Sequence, residues 1–337
     1  MKKNMHFGMA LAMALGVTVC GGKTTPVEAN ADVEVAQENE ISEGNKEQET
    51  ELELLNKVVV YNSSVCTALE AFGKTDTIVG AYGSLSEKYG VPECGKWNEV
   101  DVEAVIAAEA EAVFAYEQYT TTEQMEMLKE ADVECYFIEL SDADLAAEEV
   151  EELGKLFGCE EKALSFVELY TTYDALLKEK LASVETVLHA YVEGTAKEPF
   201  KTANQTTAAH KLIEGAGLAN IYADNETAYP ERNLEAVISA QPDVIVKLMG
   251  ANDALDESIF AEYADGLAGV KAADDGKVII LNNEVGTTAV GSIIGRLYVA
   301  KFAYPDLFAD VDVDAVYETL CTEFLGKEFT GSGAYFK

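Results

Sequence analysis

Positive charge is scarce in this chain of 337 residues. Lysine and arginine together number 24, against 61 aspartates and glutamates, which gives a formal net charge of −37. A surface of this kind repels phosphate backbones and anionic lipid headgroups. The composition therefore argues against nucleic acid as a partner.

Histidine is also rare, and no two cysteines have the spacing of metal ligands. The histidines are His6 in the N-terminal leader, His189 in a strand predicted to be buried, and His210 on a predicted helix. A transition-metal ion held directly by a protein needs several histidine or cysteine ligands. We therefore expect no metal site and no resident cofactor, and any metal has to arrive already chelated.

Sequence motifs of common catalytic sites are missing as well. The chain has no Gly-x-Ser-x-Gly elbow, no Walker loop, no His-Glu-x-x-His and no Cys-x-x-Cys. These absences argue against an enzyme. A secreted enzyme stays an alternative, and so does a structural surface lipoprotein, which would need no ligand cleft.

The N-terminal apolar run, from Phe7 to Val19, is too short to span a bilayer. It follows Lys2 and Lys3, and a short apolar run after positive charges is typical of a secretory signal. We assign residues 1–19 to a signal peptide, which predicts an extracytoplasmic protein.

The end of this signal, Val17-Thr18-Val19-Cys20-Gly21, resembles a bacterial lipobox. In that motif the cysteine is lipidated, so we expect Cys20 to anchor the chain to the bacterial cell membrane. Val19 is bulkier than the residue that usually precedes the cysteine. Cleavage at Ala29-Asn30-Ala31, an A-x-A site, is the alternative.

Acidic side chains dominate the segment that follows. Residues 24–56 contain ten Asp or Glu and a single lysine, Lys46. Such a segment buries too little apolar area to offset the entropy lost on ordering. We predict that residues 20–56 form a lipid-anchored, flexible acidic tether.

From residue 57 onward, short β-branched or aromatic runs alternate with amphipathic segments, as in an α/β fold with parallel sheets. We predict strands at 57–61, 77–80, 112–115, 133–138, 185–192, 243–247 and 277–281. We predict helices at 102–110, 121–131, 208–217, 233–240, 288–304 and 312–325.

The longest predicted helix runs from Glu160 to Leu181 without Gly or Pro. Its length of roughly 33 Å, at ~1.5 Å per residue, exceeds what a crossover helix needs. We therefore predict two Rossmann-like lobes with parallel-type sheets, at 57–158 and 185–337, joined by an interlobe helix within 159–184. The ligand cleft is expected between the lobes, and a single long helix predicts a small lobe movement.

Five cysteines remain beyond Cys20, an odd number that cannot all pair internally. We expect scattered buried thiols, while one disulfide stays open as an alternative. These residues are Cys66, Cys94, Cys135, Cys159 and Cys321.

Several segments, in order and at consistent spacing, resemble a known family. They are TIVG at 77–80, DVE at 101–103, HKLIEGAGLANI at 210–221, NLEAV at 233–237 with QPDVIV at 241–246, and KFAYPDLF at 301–308. These segments resemble the class III periplasmic binding proteins, which serve ABC importers of iron-siderophores, haem and cobalamin. Two positions depart from the family pattern: AEAE at 108–111 replaces a Pro-Asp pair, and Leu218 replaces a glycine.

The resemblance implies a monomeric receptor that captures a metal chelate and delivers it to the permease of an ABC importer. In this family one glutamate on each lobe pairs with permease arginines, and the matching positions are Glu103 and Glu235. Each also lies in the first turn of a predicted helix, after Asp101 or Asn233, where an acid favours the helix dipole. The two roles are compatible.

Ligands of open α/β sheets bind beyond the carboxyl ends of the strands. Aromatic rings there suit the body of a chelate, and polar groups fix its orientation. The candidates are residues at these ends, Trp97 as a cleft wall, and Arg296 on a small-residue helix face near the expected cleft. They are Tyr61, Asn62, Ser63, Tyr82, Trp97, Tyr116, Gln118, Lys247, Asn283 and Arg296. An oxyanion such as molybdate is the alternative ligand and would use backbone donors and Arg296.

Overall fold

The computed structural model describes residues 53–138, 140, 144–195, 199–250 and 255–337. These residues belong to one compact unit. The predicted signal peptide at 1–19, the lipidation site Cys20 and nearly all of the tether at 20–56 lie outside the described residues. Within those ranges, no helix combines the length and the apolar character needed to cross a membrane.

The strands of the described chain are short and rich in β-branched residues. They are β1 Val58–Val60, β2 Ile78–Ala81, β3 Gly95–Lys96, β4 Glu99–Val100, β5 Ala112–Phe114, β6 Glu134–Tyr136, β7 His189–Glu193, β8 Ala219–Asn220, β9 Val244–Met249, β10 Val278–Asn282 and β11 Ala334–Phe336.

Most helices begin at a side chain that caps a free backbone N–H. They are α1 Ser63–Phe72, α2 Gly83–Tyr89, α3 Val102–Ala107, α4 Thr122–Glu130, α5 Ala146–Phe157, α6 Glu160–Leu181, α7 Ala208–Gly215, α8 Leu234–Ala240, α9 Glu257–Asp265, α10 Lys271–Asp274, α11 Asn283–Gly286, α12 Ala289–Ala303 and α13 Val313–Thr319.

Two main sheets organise the described residues. The first has the order β2-β1-β5-β6 and is parallel throughout. The second has the order β11-β10-β9-β7-β8, in which only β11 runs antiparallel to its neighbour. Strands of parallel sheets are covered on both faces, which explains why Val58, Val59 and Val60 are all fully buried.

Helix α6 lies between the two sheets in the sequence and has the predicted bounds. It buries one stripe formed by Ala163, Phe166, Tyr170 and Leu177. Acids occupy its first turn and lysines its last turn, which complements the helix dipole. The mixed α/β architecture predicted from the sequence is confirmed.

Several element boundaries differ from the sequence analysis. The strand predicted at 185–192 begins only at His189, because the chain first turns after α6. The side chain of His189 is 64% exposed rather than buried, since it occupies the first position of β7. The helix predicted at 102–110 ends at Ala107, and the one at 312–325 becomes a π-helical turn from Leu320. Helices α1, α2, α5, α9, α10 and α11 were not predicted from the sequence.

All five cysteines in the described part of the chain are free thiols. Cys66, Cys94 and Cys321 are buried, while the other two are partly buried. Burial raises the pKa of Cys66 to about 12. Buried thiols are therefore confirmed as the main pattern, and the alternative of a disulfide among these residues is wrong.

Candidate functional site

The carboxyl end of β1 contributes packing rather than an open binding surface. Tyr61 is 1% exposed, and its hydroxyl donates to the Cys94 carbonyl and accepts from the Asp101 backbone N–H at 3.2 Å. Asn62 is also buried, and its side-chain oxygen accepts the Ser64 N–H at 2.8 Å to cap α1. Of the three residues predicted here, only Ser63 is exposed.

An aromatic cluster of Trp97, Tyr116 and Tyr119 lies beyond the end of β5. Trp97 comes from the turn of the β3–β4 hairpin. Tyr116 precedes a 3-10 turn at Glu117–Tyr119, and Tyr119 is its last residue. The Trp97 ring centroid lies 5.1 Å from that of Tyr119 and 6.2 Å from that of Tyr116. Trp97 is 48% exposed and Tyr119 is 38% exposed, so the cluster faces solvent.

Tyr229, which follows the second sheet's strand β8 in the chain, lies near this cluster. Burial raises the pKa of Tyr229, and the neighbouring Tyr119 phenol raises it further. The Tyr229 side chain is 55% exposed. The phenols of Tyr119 and Tyr229, from the two halves of the chain, thus influence each other electrostatically.

Sequence reasoning missed Tyr119 and Tyr229. Tyr119 was detectable, because residues three apart in a 3-10 turn lie on the same side and Tyr116 precedes it by three positions. Tyr229 follows no predicted strand, so no pattern in the sequence marked it.

Lys247 lies in a buried ion pair at the carboxyl ends of β7 and β9. Its ammonium is 3.0 Å from the Glu193 carboxylate and donates to the Gly194 carbonyl at 2.7 Å. The Tyr191 hydroxyl donates to the other oxygen of Glu193 at 3.0 Å. Burial, followed by the Glu193 charge, raises the pKa of Tyr191 well above its usual range. The positive charge of Lys247 is therefore balanced by the Glu193 carboxylate inside the protein, as a buried charge requires.

Arg296 on α12 lies beside two carboxylates, and its buried Nε has no hydrogen-bond partner among the described residues. Its guanidinium is 3.7 Å from the Asp174 carboxylate on α6 and 3.5 Å from the Asp144 carboxylate. The residue is 4% exposed, and its Nε atom packs against Gly215, where an added Cβ would lie 2.3 Å away. This arrangement joins α12 to α6 instead of presenting a guanidinium to solvent.

The remaining predicted ligand residues lie at helix starts or in turns. Tyr82 precedes α2 and is half-buried, and Gln118 is exposed in the 3-10 turn of the aromatic cluster. Asn283 opens α11 and accepts the Thr287 hydroxyl at 2.6 Å. Ligand contact by these residues stays a prediction.

Among the described residues, no group of three or more His, Cys, Asp or Glu side chains is arranged to hold a metal ion.

Residues 58–285, well over half of the chain, match the family model described as periplasmic binding protein. This chain belongs to the periplasmic binding protein family. Proteins of this family are extracytoplasmic solute-binding proteins rather than enzymes, so the predicted binding class is confirmed.

Relatives of this periplasmic binding protein are distant in sequence. The vitamin B12-binding protein of Yersinia pestis (strain Pestoides F) is 21% identical over 193 residues, which are 56% of this chain and 68% of that protein. The structure of the TroA-like periplasmic binding protein FepB from Veillonella parvula matches with a TM-score of 0.72 and 19% identity, over 84% of this chain and 95% of that one. Molybdate-bound MolA from Haemophilus influenzae matches with a TM-score of 0.65 and 18% identity, over 82% and 94% of the two chains. At these identities the structural likeness shows the shared fold.

The two predicted docking glutamates of this periplasmic binding protein have equivalent surroundings. Glu103 follows Asp101, whose carboxylate accepts the Ala104 N–H at 3.0 Å. Glu235 follows Asn233, whose side-chain oxygen accepts the Ala236 N–H at 2.9 Å. Both glutamates are exposed in the first turn of a short helix. Glu103 also lines an acidic surface groove of about 430 Å³.

Proposed function

We propose that this protein captures a metal chelate of the siderophore, haem or cobalamin type outside the cytoplasmic membrane and delivers it to an ABC importer permease. The aromatic cluster is the observation that carries this proposal. Partly exposed rings provide the flat apolar surface that the body of a large chelate needs. The name of the vitamin B12-binding relative supports the same class of cargo.

A molybdate-type oxyanion is the second candidate, and it is favoured by the fold shared with molybdate-bound MolA. A small oxyanion needs cationic or N–H donors that are free to bind it. Arg296 and Lys247 already face carboxylates. The chelate therefore remains the preferred ligand.

A thermal-shift screen of the purified protein against ferric siderophores, haem, cobalamins and molybdate tests the proposal. A ligand that binds only the folded state adds about 2.7 kcal/mol of stability at a hundredfold excess over its Kd. We expect a dose-dependent rise in Tm with one chelate class. We expect the rise to shrink in Trp97→Leu and to persist in Phe336→Leu, a matched loss of an exposed aromatic outside the cluster. A response to molybdate alone would select the oxyanion function.

Delivery to the permease is tested by removing both docking carboxylates. In Glu103→Ala/Glu235→Ala we expect unchanged chelate affinity, because neither glutamate belongs to the aromatic cluster, and strongly reduced cellular uptake. Glu123→Ala provides the control, since Glu123 is an exposed first-turn acid on α4. Normal uptake by the double variant would exclude the docking role.

Membrane attachment is tested at Cys20. We expect Cys20→Ser to shift the protein from the membrane fraction to the soluble fraction. Membrane retention of this variant would contradict a lipid anchor at that residue.

A further inference from the structure

The three rings of the aromatic cluster are nearly perpendicular to one another. The interplanar angle is 84° for Trp97 and Tyr119, 88° for Trp97 and Tyr116, and 80° for Tyr116 and Tyr119. All centroid separations lie between 5.1 and 6.2 Å. These values are those of edge-to-face contacts among three rings. The exposure of Trp97 and Tyr119 leaves ring surface accessible to a ligand.

Rings in this arrangement offer an electrostatic site as well as an apolar one. The face of an aromatic ring carries negative potential, and tryptophan attracts cations most strongly. Several ring faces around one point recognise quaternary ammonium groups and alkylated amines, because these cations are weakly hydrated. A neutral group of the same shape makes the same apolar contact but lacks the electrostatic attraction between a cation and the ring faces.

The charges around the cluster favour the same class of ligand. Lys96, next to Trp97, is paired with Glu99 at 2.7 Å. Glu117, between Tyr116 and Tyr119, is an exposed acid. The buried cations of the described chain, Lys247 and Arg296, face carboxylates. With a net charge of −37, the molecule as a whole also attracts cations.

We propose that the aromatic cluster is a cage for a positively charged group on the bound solute, a quaternary ammonium or an alkylated amine. This inference rests on the proposed function, because it assigns the cage to the solute site and names the charge class of the cargo. Neutral or cationic chelates are therefore preferred over polyanionic ones.

The single tryptophan of the chain provides a direct readout, because Trp97 is itself a wall of the cage. Choline and 3,3-dimethylbutan-1-ol have nearly the same shape and differ in charge, so they are the probes. We expect choline to quench Trp97 fluorescence saturably and to bind about tenfold more tightly than the neutral alcohol. Repeating the titration at about 0.5 M NaCl removes general attraction to the acidic surface.

Variants of Tyr119 separate the cage from non-specific attraction. We expect Tyr119→Leu to abolish the preference for choline, Tyr119→Phe to retain it because the ring remains, and Phe336→Leu to leave it unchanged. Equal quenching by both probes, or an undiminished preference in Tyr119→Leu, would overturn the inference.

The chelate screen distinguishes this inference from the proposed function. Chelate binding without any preference for choline would refute the cage and leave the receptor function intact. A preference for choline that depends on Tyr119, without binding of any chelate, would support the cage and refute the chelate proposal.

Discussion

At the residue scale, the Glu111 carboxylate holds the start of the first sheet. Its carboxylate accepts the backbone N–H groups of Asn56 at 2.8 Å and Lys57 at 3.1 Å, just before β1. In the second sheet, Asp243 accepts the His189 N–H at 2.8 Å at the equivalent position before β9. Glu111 and Asp243 therefore play matching structural parts in the two sheets, which the sequence alone did not reveal.

Removing this carboxylate should destabilise the start of the first sheet. We expect Glu111→Ala to lower the free energy of unfolding by about 1–2 kcal/mol, because two backbone donors lose a charged acceptor that water replaces only in part. Urea denaturation measures the change. Glu130→Ala, at an exposed position on α4, should stay within about 0.5 kcal/mol of the parent protein. Equal stability of the two variants would contradict the assigned role of Glu111.

At the element scale, two glycines on α12 allow that helix to approach the backbone of α11. A Cβ on Gly291 would lie 2.0 Å from the Glu284 carbonyl oxygen, and one on Gly295 would lie 1.9 Å from the Val285 carbonyl oxygen. Residues four apart share one face of a helix. The small-residue pattern around Arg296 therefore reflects close packing of two helices rather than an open ligand surface.

Filling one of these positions should force the two helices apart. We expect Gly295→Ala to cost about 1–3 kcal/mol, because the clash is with backbone that cannot rotate away. Gly194→Ala is the control, since only the Lys201 carbonyl, at 3.9 Å, lies near its added Cβ. Thermal unfolding of both variants measures the difference, and a fully stable Gly295→Ala would show that α11 can shift freely.

At the scale of the whole molecule, one hydrophobic core connects the two sheets. It includes Val60 of the first sheet, Leu281 of the second and Phe166 of α6. Relative movement of the halves would separate these side chains and expose apolar area, at about 25 cal/mol per Å². The continuous core therefore adds to the resistance to movement of the two halves that is expected from a single long helix.

Ligand binding should therefore change the shape of this protein little. We expect small-angle scattering with and without a bound chelate to give radii of gyration that differ by less than about 1 Å. The same sample must show the ligand-induced rise in Tm, so that the liganded state is assured. A wide domain closure on ligand binding would contradict the inference that the shared core restrains relative movement of the two halves.

Periodicity and ordered motifs are local properties of the chain, so the alternation of strands and helices, the bounds of α6 and the family could be predicted from the sequence. Which aromatic residues meet, and which cations face carboxylates, became apparent only in the folded molecule. Trp97 comes from a hairpin and Tyr119 from a 3-10 turn. From the sequence, Lys247 and Arg296 were predicted to be free to bind a ligand. Glu193 and Asp174 lie far from them in the chain and reach them only through strand register and helix packing. Contacts between residues far apart in the chain leave no periodic signal, so the site's composition required the folded molecule.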